Sequence, residues 1–137
     1  MDKIDFVNYR ALMLEVRQLR SCLAALESSL DAIPAPRYSS TPRASHSRGS
    51  AIEARVARLV EVQALYRSKL EQQLAQLQAV EEAIGSLENP AERLVMRLRY
   101  VEGRSWVNVC MLLQPEGYSE RQVYRLHSFA LSKLKEV

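Results

Sequence analysis

Apolar residues recur at alternating spacings of four and three through the first quarter of the chain. They are Leu12, Val16, Leu19, Leu23, Leu26, Leu30 and Ile33. This heptad pattern places the apolar residues on one narrow side of a helix. It predicts a helix over residues 3–32, which ends before Pro34 because proline lacks the N–H that a continuing helix donates. Such a helix needs a partner to cover its apolar side.

A second apolar repeat predicts a long helix over residues 50–88. It runs through Ile52, Val56, Leu59, Gln63, Tyr66, Leu70, Leu77, Ile84 and Leu87. Two helices with narrow apolar sides pair within one chain as a hairpin, or with other copies of the chain. We therefore expect residues 1–33 and 50–88 to form a coiled-coil or hairpin module that makes homo-oligomers.

The segment between the two repeats, residues 34–49, is rich in proline, serine and arginine and has no apolar period. This composition predicts a basic loop or disordered linker. Its arginines, Arg37, Arg43 and Arg48, are candidate phosphate contacts. The alternative is a solvated linker whose arginines make no specific contact.

Charge is distributed unevenly around a net value of +3. Residues 90–137 hold eight Lys/Arg against five Asp/Glu, so an anionic partner is expected to bind there and at the basic linker. No apolar run is long enough for a membrane span, and the N-terminus lacks a secretory signal. The cysteines, Cys22 and Cys110, lack metal-ligand spacing. We expect a cytoplasmic protein without membrane, metal or cofactor.

Residues 89–137 predict a compact three-helix domain. Asn89 suits the N-cap of its first helix, Pro90 suits the first turn, and Gly103 suits the end. The residues expected on the buried side of this helix are Leu94, Leu98 and Val101.

The second helix of this domain begins after Ser105, a suitable N-cap. Its apolar residues, expected in the core, are Trp106, Val109, Cys110 and Leu113. Ser119 and Gln122 have the spacing of a capping box at the start of the third helix. The inward side of that helix is expected to carry Val123, Leu126, Ala130, Leu131 and Leu134.

The outward side of the third helix has the residue types of a DNA-reading surface. Arginine presents a planar fork that matches guanine or phosphate oxygens, and glutamate accepts from cytosine. A helix N-terminus binds phosphate. The candidate DNA-binding residues are Arg104, Ser119, Glu120, Arg121, Tyr124, Arg125 and Ser128. Three helices, the last displaying Arg and Tyr near its start, match a helix-turn-helix. The alternative is a surface helix with solvated charges.

The segments "LRYVEGRSW" and "GYSERQVYRLHSFALSKL" resemble region four of sigma factors. The chain is more similar still, over nearly its whole length, to the ArpU/RinA-type transcriptional regulators of phages of Gram-positive bacteria. The resemblance implies an activator of phage or prophage genes that acts with host RNA polymerase, and it places promoter contacts at Glu120, Arg121, Tyr124 and Arg125. The segment Gln114–Glu116 lengthens the turn relative to that family.

These observations predict an all-α protein in which a coiled-coil part precedes a helix-turn-helix domain that binds double-stranded DNA. No phosphate-binding loop, paired carboxylate motif or nucleophile elbow occurs, so we expect no enzyme activity. Two rival interpretations remain open. One is a small terminase-like subunit that binds a packaging site, and the other is an adaptor that binds polymerase without recognising DNA.

Overall fold

A computed structural model describes residues 1–31 and 42–135, with side chains over 1–31 and 49–135. The protein is all-α, as predicted, with 86% of the chain helical. The described residues contain no β-strand. The helices are α1 (Lys3–Asp31), α2 (Pro42–Gly85), α3 (Pro90–Met96, continued by a π-helical turn Arg97–Val101), α4 (Trp106–Leu113) and α5 (Glu120–Lys135). None of these helices is both long and apolar enough to cross a bilayer.

The chain forms two compact units. Unit 1 comprises Met1–Leu14 and Glu71–Val137, and unit 2 comprises Glu15–Leu70. In unit 2, Val16 and Val62 are buried, and the ammonium group of Lys69 lies 3.6 Å from the carboxylate of Glu15. The first turns of α1 thus belong to the same compact unit as α3, α4 and α5.

Unit 1 contains two apolar clusters. The first joins residues of α1, α2, α3 and α5: Phe6, Tyr9, Val80, Ile84, Leu87, Met96, Tyr100, Ala130 and Leu134. The second joins α3, α4 and α5 through Val95, Val109, Leu113 and Val123. α3 and α5 contribute to both clusters and therefore pack firmly against each other. This packing positions α4 and determines which side of α5 is exposed.

The boundaries of α1 agree with the predicted helix to within one residue. Its apolar side begins earlier than predicted, because Phe6, Tyr9 and Met13 are buried along with Val16. These residues continue the same three–four spacing towards the N-terminus. Ile33, the last residue of the predicted repeat, lies outside the described residues.

The predicted linker is wrong over residues 42–49, because α2 begins at Pro42. Proline is favoured in the first helical turn, where its missing N–H has no helical partner, and the following residues include good helix formers. The remainder of the predicted linker, residues 34–41, lies outside the described residues.

The predicted apolar side of α2 is also displaced at its start. Gln63 is exposed and Val62 is buried, while Ile52 and Val56 are 39% and 44% exposed. The buried side instead repeats through Val62, Tyr66, Lys69, Gln73, Leu77, Val80 and Ile84, each buried or half-buried. Two members of this repeat, Lys69 and Gln73, are polar. A search for apolar residues alone therefore does not identify the buried side of this helix.

α3 begins as predicted, since the side chain of Asn89 accepts from the backbone N–H of Ala91 at 2.9 Å. The expected buried side is wrong at Leu94, which is 42% exposed. Val95, Met96 and Tyr100 are buried instead. Almost every residue from 94 to 101 is apolar or arginine, so periodicity alone leaves the buried side of this short helix ambiguous.

Candidate nucleic-acid interface

The turns on both sides of α4 are closed by local hydrogen bonds. Ser105 caps α4, because its hydroxyl accepts from the backbone N–H of Asn108 at 3.2 Å. After α4, the backbone N–H groups of Gly117 and Tyr118 donate to carbonyls of Gln114 and Leu113. Gly117 has φ +91°, a conformation that favours glycine. The turn at Gln114–Glu116 is thus closed by backbone hydrogen bonds.

The predicted capping box of α5 is confirmed. The backbone N–H of Ser119 donates to Gln122 Oε1 at 2.8 Å, and the backbone N–H of Gln122 donates to Ser119 Oγ at 3.2 Å. These reciprocal bonds satisfy donors that a helix start otherwise leaves unpaired. They fix where α5 begins and so which residues occupy its first exposed turns.

The two sides of α5 differ sharply in burial. Its buried residues are Val123, His127, Ala130 and Leu134. The predicted site residues on α5 are all exposed: Glu120, Arg121, Tyr124, Arg125 and Ser128. Ser119, just before the helix, is exposed as well. Spacings of three, four and seven place Arg121, Tyr124, Arg125 and Ser128 on one side of the helix.

Arg104, the remaining candidate of this region, lies in the turn before α4. Its guanidinium donates to Glu102 Oε2 at 3.2 Å and to Asn108 Oδ1 at 2.8 Å. These contacts hold the turn together. Arg37 lies outside the described residues. The backbones of Arg43 and Arg48 lie in α2, and their side chains are outside the described part.

An aromatic cluster joins α4 to α5. Trp106 is half-buried at the edge of the second apolar cluster, and its ring centroid lies 5.1 Å from that of Tyr124 and 4.6 Å from that of His127. The guanidinium carbon of Arg99 lies 4.7 Å from the Trp106 ring centroid, a cation–π arrangement. The predicted core position of Trp106 is therefore only partly correct, because the ring is half-buried and contacts the half-buried Arg99 and the exposed Tyr124.

His127 is a buried residue that the sequence analysis did not assign to the core. Its Nε2 lies 2.7 Å from the hydroxyl oxygen of Tyr100. Burial, together with the nearby charges of Lys3 and Arg99, lowers the pKa of His127 to about 4. The ring is thus neutral near pH 7. Burial also raises the pKa of Tyr100, so its hydroxyl keeps its proton and can donate it to the unprotonated nitrogen of His127.

A groove of about 450 Å³ lies between α4 and the start of α5. Two apolar side chains in its lining are unusually exposed, Val107 at 72% and Met111 at 64%. Its other lining residues include Trp106, Cys110, Tyr118, Ser119, Glu120 and Tyr124. Burial and the nearby carboxylate of Glu120 raise the pKa of the Cys110 thiol, so Cys110 stays protonated near pH 7.

Arg10 of α1 is a half-buried residue that reaches the turn before α4, a contact that the sequence did not indicate. Its Nη2 donates to the carbonyl oxygen of Gly103 at 3.2 Å. Arg99 Nη1 donates to the neighbouring carbonyl of Arg104 at 3.1 Å. No sequence signal links Arg10 to this turn, because the two segments are far apart along the chain. For Arg99, the sequence did offer an indication, because this residue lies in the segment "LRYVEGRSW" that resembles region four of sigma factors.

Among the described side chains, those of residues 1–31 and 49–135, no group of three or more His, Cys, Asp or Glu is placed to hold a metal ion. No protein-family model, curated protein or solved structure matches this chain. The assignment of a function therefore rests on the residues and on their arrangement.

Proposed function

We propose that the protein is a sequence-specific regulator of transcription that binds double-stranded DNA through α5. The observation that carries this proposal is the polarity of α5. The helix starts at a reciprocal capping box, packs Val123 and His127 inward, and exposes Arg121, Tyr124 and Arg125 on its other side. A helix of this kind fits the major groove, which admits one helix.

Each exposed group has a chemical role in this proposal. Arg121 and Arg125 donate to guanine O6 and N7, and Glu120 accepts from a cytosine amino group. Tyr124, whose ring rests on Trp106, contacts the sugar-phosphate backbone. Ser119 and the start of α5 bind a phosphate and set the register of the helix on the duplex.

The regulatory part of the proposal rests on the resemblance of "LRYVEGRSW" and "GYSERQVYRLHSFALSKL" to region four of sigma factors and to ArpU/RinA-type regulators. On this basis the protein activates phage or prophage genes at promoters used by host RNA polymerase. It acts without enzymatic chemistry or a cofactor, and in the cytoplasm.

The test is to select bound sequences from a pool of random duplexes and then to measure Arg121→Ala and Arg125→Ala on the selected site. Each change should cost about 1–3 kcal/mol of discrimination at one or two base positions. Thermal stability should stay near that of the parent protein, because both side chains are exposed. Lys135→Ala removes one positive charge from the last turn of the same helix and is the matched control.

If both Arg variants keep full affinity and sequence preference, α5 does not read DNA. A uniform loss of affinity over all sequences would assign the two arginines to phosphate contacts alone. Lys135→Ala should bind the duplex as the parent protein does. This control shows that a loss of affinity in an Arg variant comes from the position of the arginine and not from the change in net charge.

A second candidate function, docking on RNA polymerase, is favoured by the groove between α4 and α5. Val107 and Met111 are exposed apolar side chains that line one groove, and an apolar groove is the kind of surface on which a protein partner docks. Met111→Lys should weaken binding to purified bacterial RNA polymerase holoenzyme and leave binding to the selected duplex unchanged. Equal polymerase binding by the variant and the parent protein would contradict this candidate.

A further inference from the structure

Two arginine side chains from distant parts of unit 1 meet at one turn. Arg10 of α1 donates to the carbonyl of Gly103 at 3.2 Å, and Arg99 donates to the carbonyl of Arg104 at 3.1 Å. Because these carbonyls belong to consecutive residues, the two guanidinium groups are held close together. Burial and, secondarily, the positive charge of Arg10 lower the pKa of Arg99, which agrees with this proximity.

Neither Arg10 nor Arg99 has an ion-pair partner among the described side chains, those of residues 1–31 and 49–135. The Nε atoms of both are buried and have no hydrogen-bond partner. Glu102, a carboxylate of the same turn, lies 3.2 Å from Arg104. Two neighbouring cations without an acidic partner repel each other, and a bound anion removes that repulsion.

The arginine pair lies beside the exposed face of α5. The Arg99 guanidinium rests on Trp106, and Trp106 contacts Tyr124, so the pair is two contacts away from the candidate base-reading residues. Lys3 lies seven residues before Arg10, which places both on the same side of α1. The charge of Lys3 acts on His127 of α5, so the first turn of α1 lies near α5.

We infer that Arg10 and Arg99 form a phosphate-binding site at which α1 and the Gly103 turn hold the DNA backbone next to α5. This inference rests on the proposed function. Guanidinium groups match phosphate oxygens in two-point contact, and each keeps further N–H donors besides the one given to the turn. The protein thus clamps a duplex with two elements, α5 in the groove and the start of α1 on the adjoining strand.

A backbone phosphate fits this site better than a free anion. Both arginines are only half-buried, so a small anion there exchanges with water and is held weakly. A duplex held by α5 instead supplies phosphates at fixed spacing directly beside the site, which raises their effective concentration.

The decisive measurement is the salt dependence of duplex binding by Arg10→Gln, Arg99→Gln and the control Arg20→Gln. Arg20 is an exposed arginine of the same helix, in unit 2. Each lost phosphate contact should lower the slope of log Kobs against log salt concentration by about 0.9. We expect that decrease for Arg10→Gln and Arg99→Gln, an unchanged slope for Arg20→Gln, and an unchanged preferred site for all three.

Trp106, the single tryptophan, reports on the same site because Arg99 lies over its ring. Duplex should change its fluorescence saturably in the parent protein and less in Arg10→Gln, a variant that does not touch the ring. Inorganic phosphate at constant ionic strength should give no saturable change. A saturable response to inorganic phosphate, with the duplex slope of Arg10→Gln unaltered, would overturn the inference in favour of a small-anion site.

The failures of the two proposals are distinguishable. If the parent protein binds no duplex, the proposed function and this inference fall together. If Arg121→Ala and Arg125→Ala lose site preference while Arg10→Gln and Arg99→Gln keep the parent slope, only the phosphate site is wrong. If the slope falls for Arg10→Gln but the α5 variants bind normally, the phosphate site stands, and the assignment of α5 as the reading helix is wrong.

Discussion

At the scale of single residues, His127 makes the stability of unit 1 depend on pH. The ring is buried in contact with Tyr100 and Trp106, and its pKa is lowered from 6.5 to about 4. Below pH 6.5 the unfolded chain therefore binds a proton that the folded protein does not bind. The free energy of unfolding should be unaffected by this group above pH 6.5 and should fall between pH 6.5 and 4, by up to about 3 kcal/mol.

Denaturant unfolding at a series of pH values, on the parent protein and on His127→Gln, checks this expectation. Glutamine keeps an acceptor for the Tyr100 hydroxyl but does not titrate. His46, the other histidine, is present in both proteins, so its contribution cancels. The parent protein should lose more stability than the variant on acidification. Identical pH profiles would show that His127 titrates alike in the folded and unfolded chains.

At the scale of elements, a buried carboxylate links α3 to α5. Glu92 is 2% exposed, and Lys133 Nζ donates to both of its carboxylate oxygens, at 2.9 and 3.0 Å. Removing one partner of such a pair leaves a buried charge unpaired, at a cost of about 3–5 kcal/mol. Lys133→Ala should lower the free energy of unfolding by about 3 kcal/mol, the lower end of that range, because Lys133 itself is half-exposed.

Lys135→Ala, in the same last turn, is the control and should change stability by less than about 0.5 kcal/mol. Replacing both Glu92 and Lys133 by methionine should recover most of the loss, since it removes the buried charge together with its partner. Equal stabilities of Lys133→Ala and Lys135→Ala would mean that solvent stabilises Glu92 without the lysine.

The helix starts of α3, α4 and α5 were predictable because each depends on a few adjacent residues. The caps at Asn89, Ser105 and Ser119 all form the expected hydrogen bonds. The exposed side of α5 was predictable for the same reason, since its period of apolar and polar residues is regular. Burial of His127 was not, because a histidine joins a core only when a distant partner such as Tyr100 satisfies its nitrogen.

The contribution of α1 to unit 1 could not be read from the heptad pattern. Phe6 and Tyr9 continue the same repeat as Val16, yet they join a cluster with residues of α5, whereas Val16 belongs to unit 2. Periodicity identifies which side of a helix is covered but not what covers it. The same limit hid Arg10, whose partner Gly103 is 93 residues away.

At the scale of the whole molecule, the number of copies separates the two DNA-binding interpretations. A closed ring of about eight or more copies would favour a small terminase-like subunit. A monomer or dimer favours the regulator, whose two copies can bind two half-sites one helical turn apart. The mass of the protein in solution, measured by light scattering, decides between them.

We expect self-association to use the exposed apolar residues of α2 in unit 2. Val56 and Val60 are 44% and 57% exposed and are four residues apart, so they share one side of the helix. Leu19 and Leu26 are already half-buried, and charges there would destabilise unit 2 whether or not the protein associates. The informative variant is therefore Val56→Lys with Val60→Lys. Ala54→Lys, at an exposed position two residues before Val56 and therefore on a different side of the helix, is the matched control.

The double variant should lower the mass measured by light scattering, because burying two lysines in an interface costs several kcal/mol. Circular dichroism should show unchanged helicity, since lysine is a good helix former and both positions are exposed in the single chain. Ala54→Lys should keep the parent mass. A parent protein that is already monomeric, or a double variant of unchanged mass, would mean that the apolar repeats of α1 and α2 are satisfied within one chain. Under the proposed function, the protein would then bind DNA as a single copy, through α5 and the phosphate contacts proposed for unit 1.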